Sequence, residues 1–284
     1  MRVLRNLIGF MQGRLSDCVD GKIQAFPWET WKTEFLSAKD INMNVMEWTL
    51  DQRRLYRNPL MTSKGQEIIR QLSVKYNISI PSLTGDCFMQ SPFWKIDTLL
   101  CEDLQADFIA ICKACAALGI QMIVIPLVDN GRLETQKQEK MLLEFMLKHH
   151  SFFIHNKIKV IFESDFDPEK LMRFINYFPC DCFGINYDSG NSAAFGFVPS
   201  EEFDAYGSRV LNIHIKDRVL GGETVPLGKG NVNFNDLFSR IFRQNYQGNF
   251  ILQTARASDG NHAKVLSEYR NLILKYMRQY VLGA

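Results

Sequence analysis

The 284-residue sequence has no apolar run of the roughly 18 to 20 residues that a bilayer-spanning helix needs, so no membrane partner is expected. It also lacks an excess of either charge: Lys plus Arg total 33, Asp plus Glu total 31, and the formal charge is +2. That balance excludes a strongly basic nucleic-acid-binding face and still allows a small basic pocket. Met1 to Gly13 carries two arginines but no sustained apolar stretch followed by small residues, so a cleaved secretion signal is not expected. The seven cysteines are odd in number and scattered, which argues against a disulfide scaffold and for a reducing, cytoplasmic setting. Cys112/Cys115 falls in a strongly helical run and Cys180/Cys182 has only one intervening residue, so both pairs read as small buried hydrophobes rather than a metal knuckle.

What is present is alternation. Short β-rich runs occur at Asn6 to Met11, Asn44 to Thr49, Ile78 to Thr84, Met122 to Val128, Lys159 to Glu163, Phe183 to Asp188, Val210 to Ile215 and Asn249 to Thr254. Helical patterns separate them at Thr30 to Ala38, Lys64 to Tyr76, Thr98 to Leu118, Leu133 to His155, Leu171 to Phe178, Glu201 to Tyr206, Asp236 to Gln244 and Asp259 to Val281. Gly119 supplies a helix stop, and Asp167-Pro168 a cap followed by a first-turn proline. The Met122 run is almost wholly apolar, as a parallel strand buried on both faces requires. About eight strand–helix units without a linker predict one α/β domain over residues 1–284, a (β/α)8 TIM barrel. An open dinucleotide-binding sheet is the alternative, but Met11-Gln12-Gly13-Arg14 offers one glycine where that fold needs three.

Side chains of a barrel strand alternate between the interior and the helical layer. In Phe183 to Asp188 the polar parity is Gly184, Asn186 and Asp188, and it must face inward, because outward it would bury Asn and Asp against helices. By the same rule Asn212, His214 and Lys216 face inward, Glu163 shares a parity with Ile161, and Gln253 with Ile251. Glu163, Asp188, His214 and Gln253 thus gather at the C-terminal ends of four consecutive strands, the end where barrel enzymes place their chemistry. Mixed oxygen and nitrogen donors without thiolate suit Mn²⁺, Zn²⁺, Co²⁺ or Mg²⁺, with Mn²⁺ or Zn²⁺ foremost.

Phe162-Glu163, Asp188-Ser189-Gly190-Asn191, His214-Ile215-Lys216-Asp217 with Pro226-Leu227-Gly228-Lys229-Gly230, Met46-Glu47-Trp48 and Leu252-Gln253-Thr254 together resemble the sugar-phosphate isomerase/epimerase branch of the xylose isomerase-like barrels. Within it the chain is most similar to ketopentose-phosphate 3-epimerases and hexulose-phosphate isomerases, over nearly its whole length. The resemblance implies a divalent metal held by Glu163, Asp188 and His214, with Gln253 standing where the family usually has a second Glu. It further implies proton transfer at a carbon next to a carbonyl, through an enediolate. Glu163 can move that proton, whereas the amide of Gln253 cannot. Two-base epimerisation then requires Glu47 or Asp86 in the missing role, while aldose–ketose isomerisation needs one base on one face.

The anionic end of a sugar phosphate needs donors, for which Lys216, Arg218, Lys229 in its glycine-flanked loop, and Arg256 are the candidates. Phe10, Trp28, Trp48 and Phe88 read first as core and second as walls of the sugar pocket; Asp165 and Asp217 are candidate partners of the metal ligands. Two rival functions remain. One is a non-catalytic sugar-phosphate-binding barrel, supported by Gln253. The other is an apurinic-site endonuclease, disfavoured because its zinc cluster needs more histidines than the five here, three of which fall on one helical stretch. Homo-oligomerisation stays open.

Overall fold

Runs rich in β-branched and aromatic residues form strands, and the helices between them return the chain so that each strand runs parallel to the last. The computed structural model describes residues 7–282. Its barrel strands are β1 (Ile8–Met11), β2 (Val45–Thr49), β3 (Ser79–Thr84), β4 (Met122–Leu127), β5 (Lys159–Ser164), β6 (Phe183–Asp188), β7 (Val210–Ile215) and, after a small hairpin of β8 (Asp217–Arg218) and β9 (Thr224–Val225), β10 (Phe250–Leu252). The eight parallel strands close into a ring in chain order, β10 pairing back to β1, which is the (β/α)8 barrel that the alternation predicts. The Asn6 start expected for the first strand lies outside the described residues.

The helices are α1 (Thr33–Asp40), α2 (Ser63–Tyr76), α3 (Asp86–Gln90), α4 (Leu99–Leu118), α5 (Gln136–Lys148), α6 (His150–His155), α7 (Pro168–Ile175), α8 (Ser189–Phe195), α9 (Pro199–Tyr206), α10 (Phe234–Arg243) and α11 (His262–Leu282). The single helix expected over Leu133 to His155 is two. Thr135 and Gln138 start α5 with a reciprocal capping box, and at His149 the backbone leaves helical geometry (φ −100°, ψ 8°). The His149 ring bonds the Phe145 carbonyl that the turn would otherwise leave partly unsatisfied. Three elements had no sequence signal: α3, α8 and the β8–β9 hairpin. All three sit just after barrel strands, at the C-terminal end of the ring.

The layer between strands and helices is aromatic. Phe162 and Phe183 stack with ring centroids 6.4 Å apart, and Phe174 and Phe178 close over them edge-on and tilted. Inside the ring Met11, Val45 and Ile251 fill a small apolar plug, so Glu47 and Gln253, two residues beyond Val45 and Ile251, share the inward parity. All seven cysteines are free, and Cys112 and Cys115 are buried in α4, where burial pushes their thiols up. Cys182 comes near His150 and Asp181 at the opposite end of the barrel, where the His150 ring already bonds the Asp181 carboxylate at 2.9 Å. No helix among the described residues is long and apolar enough to cross a membrane.

Candidate metal and substrate site

Strand register brings the polar parity together. Asp188 pairs with His214 and Asn186 with Asn212 across β6 and β7, and His214 with Ile251 across β7 and β10. Donor atoms of Glu163, Asp188 and His214 all lie within 4.8 Å of one another. Each is held from outside the cluster. Asn191 at the start of α8 gives its side-chain amide to Glu163 Oε1 (2.9 Å) and its backbone N–H to Asp188 Oδ1 (2.8 Å). Asn186 donates to Glu163 Oε2 at 2.8 Å. Burial raises the Asp188 pKa; the Lys216 ammonium, 3.5 Å from Oδ2, opposes this and the Glu163 charge adds to it.

His214 is fully buried between two carboxylates, with Nε2 2.7 Å from Glu47 Oε1 and Nδ1 3.1 Å from Glu163 Oε2. Burial alone would lower its pKa, but the Glu47 charge and the bonds to Glu163 and Glu47 outweigh it and raise it to about 10. Nε2–H donates to Glu47 and Nδ1 faces Glu163, so a metal ligated by Nδ1 would displace the second proton that the ring carries below that pKa. A carboxylate behind a histidine in this way fixes the tautomer a metal ligand needs. Gln253 Oε1 is buried and has no partner among the described residues. Gln253 lines the same cavity as Glu163, and an amide oxygen together with two carboxylates and an imidazole is a donor set that fits a divalent cation.

A cavity of about 630 Å³ opens over this cluster, lined among others by Glu163, Asn191, Lys216, Arg218, Gln253, Asp86, Arg14 and Gln24. That volume lies in the range of small-molecule sites. Asp86 opens α3 with Oδ2 unpartnered. Burial, then the charges of Asp51 and Glu163, hold its carboxyl well above the usual range, which leaves it able to carry a proton. Glu47 is placed differently. It is fully buried beneath His214, accepts from Ser82 Oγ (2.6 Å) and Asn212 Nδ2 (3.0 Å), and is not among the cavity's lining residues. Asp86 therefore borders the cavity, and Glu47 does not.

The four expected anion donors separate. Lys216 lies across Gly190, where a Cβ would stand 2.6 Å from the lysine Cγ, and lines the cavity with Arg218. Arg218 is braced by the Gly222 carbonyl and by Asn191 Oδ1 at 2.9 Å. Lys229 is exposed and does not line the cavity. Its loop already has an anion, because the amides of Gly228 and Gly230 donate to Asp217 Oδ2 and that of Val232 to Oδ1. Arg256 gives its donors to the carbonyls of Gly13, Ser16 and Ile23, and so staples the β1 loop instead of facing ligand. Asp165, the other candidate partner of the metal ligands, pairs with Arg132. Phe10, Trp48 and Phe88 are core, Trp28 lines a neighbouring cleft, and Met89 and Phe195 line the cavity in their place.

Sequence reasoning passed over Arg14 and Gln24, which sit in the Gln12-Gly13-Arg14 loop and its return, and the amides of Asn186 and Asn212. Strand parity places both asparagines inside, but parity says nothing about which neighbour each will bond.

SgbU of Haemophilus influenzae, named as a provisional L-ribulose-5-phosphate 3-epimerase, is 23% identical over 244 residues, 79% of this chain and 83% of that protein. The D-allulose 3-epimerase of Methylomonas sp., solved in complex with D-allulose, superposes with a TM-score of 0.75 at 13% identity, over 96% of this chain and 98% of that one. A xylose isomerase-like barrel protein of Mycobacterium smegmatis, solved in complex with magnesium, gives 0.70 at 16% identity over 99% of both chains. These solved structures share the fold. Residues 35–274 match the xylose isomerase-like TIM-barrel family, and the chain belongs to that family.

Proposed function

We propose that this barrel is a divalent-metal-dependent sugar-phosphate isomerase or epimerase that moves a proton at a carbon next to a carbonyl. The observation that carries the reading is the convergence of Glu163, Asp188 and His214 donor atoms within 4.8 Å, with Gln253, whose Oε1 is unpartnered, lining the same cavity as Glu163. The names of SgbU and of the D-allulose epimerase support a ketose substrate, and the magnesium in the mycobacterial barrel supports a divalent ion.

Glu163, Asp188, His214 through Nδ1, and Gln253 through Oε1 would hold the metal. A divalent cation there polarises a carbonyl and its neighbouring hydroxyl and makes the adjoining C–H acidic. Glu163 takes the proton, and the two amides on its oxygens keep it aimed. Asp86, whose carboxyl burial and like charge shift toward the protonated form, delivers one in return. With both groups on the cavity wall, epimerisation is open to the enzyme even though Gln253 cannot shuttle a proton. Lys216 and Arg218 receive the phosphate.

The test loads the protein with Mn²⁺ and follows proton–deuterium exchange by NMR over a panel of ketose and aldose phosphates. Exchange at C3 marks an epimerase, and exchange at C1 or C2 an isomerase. A metal-loaded protein that exchanges no substrate proton overturns the reading in favour of a sugar-phosphate-binding barrel.

A further inference from the structure

Folded proteins leave few buried polar atoms unpaired, and each one invites an explanation. Nine such side-chain atoms occur among the described residues, and four of them, on Arg14, Gln24, Asp86 and Gln253, belong to residues lining the cavity that Glu163 also lines. Asp86 and Gln253 are accounted for by proton transfer and metal ligation. Arg14 Nε and Gln24 Oε1 are not.

We infer that Arg14 and Gln24 form a recognition subsite that hydrogen-bonds the terminal C1 hydroxyl, on the end of the sugar chain remote from its phosphate. The inference rests on the sugar reading above and adds which part of the substrate the β1 loop reads.

Both side chains are fixed before any ligand arrives. Arg14 is only 4% exposed, and its Nη1 donates to the Ile23 carbonyl at 2.7 Å, which leaves Nε–H unspent. Thr49 Oγ1 donates to the Gln12 carbonyl at 3.1 Å and has its proton committed, so it can only accept from Gln24 Nε2 at 2.8 Å. That sets the Gln24 amide with its oxygen as the free end. The loop carrying both is clamped from two sides. Glu34 accepts the amides of Gly13 and Leu15 and the Ser16 hydroxyl, while Arg256 holds the carbonyls of Gly13, Ser16 and Ile23.

One unspent donor and one unspent acceptor on the same loop match a hydroxylated chain, because each hydroxyl both gives and takes a hydrogen bond. A phosphate dianion satisfies Arg14 and has no proton to offer Gln24 Oε1. Of the other cations lining the cavity, Arg132 pairs with Asp165, and Lys216 and Arg218 follow β7, which β10 separates from β1 in the ring. The substrate is thereby oriented, with its phosphate toward β7 and β8 and its hydroxyl tail toward β1.

The test measures binding of L-ribulose 5-phosphate, its 1-deoxy analogue and inorganic phosphate by calorimetry to the wild type, Arg14→Met and Gln24→Leu. Each variant is expected to lose about ten- to hundredfold in affinity for the sugar phosphate, the scale of a lost buried hydrogen bond. Inorganic phosphate should bind all three proteins alike, and the deoxy analogue should narrow the difference between wild type and variants. Circular dichroism establishes folding, and Gln24→Leu carries the test if Arg14→Met does not fold. Variants that bind the sugar phosphate as the wild type does overturn the subsite. So does a matching loss of inorganic phosphate, which would make Arg14 an anion donor, and so does a wild type that binds no ketose phosphate. Saturable, variant-sensitive binding without proton exchange would support the subsite while removing the catalytic reading.

Discussion

His214 Nε2 stands 2.7 Å from Glu47 Oε1 with neither side chain reaching solvent, and the pair forms the underside of the candidate metal cluster. Removing one partner of a buried charged pair leaves the other uncompensated. Glu47→Gln is therefore expected to lower stability by about 3–5 kcal/mol in urea unfolding. The same change frees the imidazole to rotate, and divalent-metal affinity in a chelator competition should fall about 10–100-fold. Unchanged metal affinity would mean that Glu47 does not orient His214.

Position 253 controls the charge of the cluster. Two carboxylates with a neutral imidazole and an amide leave the donor set one negative charge short of a three-carboxylate site. Gln253→Glu should tighten divalent-metal binding by about tenfold or more, since ligand charge count sets affinity in oxygen-rich sites. Equal retention by both proteins would place residue 253 outside the cluster.

Asp86 and Glu163 separate proton delivery from metal holding. Asp86→Asn is expected to keep its metal while substrate proton exchange drops about 10²–10⁴-fold, the usual contribution of a positioned acid or base. Glu163→Gln should weaken both. Metal content and deuterium incorporation, measured on the same samples, distinguish the two patterns.

Glu34 makes stability depend on pH. Burial outweighs its hydrogen bonds from Gly13, Ser16 and Leu15 and raises its folded pKa from 4.5 to about 7. Between these values the folded chain binds a proton that the unfolded chain has released, so Glu34 makes stability fall as pH rises through this window and adds no slope above it. The loss amounts to at most about 3 kcal/mol. Glu34→Gln should flatten the slope, as read from urea unfolding at about pH 5 and about pH 8.

Lys229 and Lys216 make a contrasting pair. Lys229→Ala should leave KM for a phosphorylated substrate unchanged, because the loop amides around it are already taken by Asp217. Lys216→Met should raise KM about tenfold through loss of a charge-assisted bond. A KM that responds to Lys229 alone would move the phosphate to that loop.

The barrel and the inward placement of Glu163, Asp188, His214 and Gln253 were legible because a strand's period of two leaves a polar residue few places to go. What each side chain bonds was not legible. Arg256 spends its donors on Gly13, 243 residues away in sequence, and Glu47 meets His214 across 167, contacts that no local pattern encodes. The break at His149 has neither glycine nor proline to announce it. That Lys229 lies off the cavity was hidden for a related reason: glycines that open a backbone to an anion do not say whether that anion is a ligand or the chain's own Asp217.

The ring is sealed where β1 meets β10, through Ile8 with Phe250, Gly9 with Ile251 and Phe10 with Leu252. During synthesis β1 consequently waits for Phe250 to Leu252 before its second flank is covered. A nascent chain stalled before Phe250 carries a bare β1 margin, open to mispairing with another copy. The carbonyls of Gly13, Ser16 and Ile23 stay ungathered until Arg256 has emerged as well, so the β1 loop is fixed only after the strand beside it.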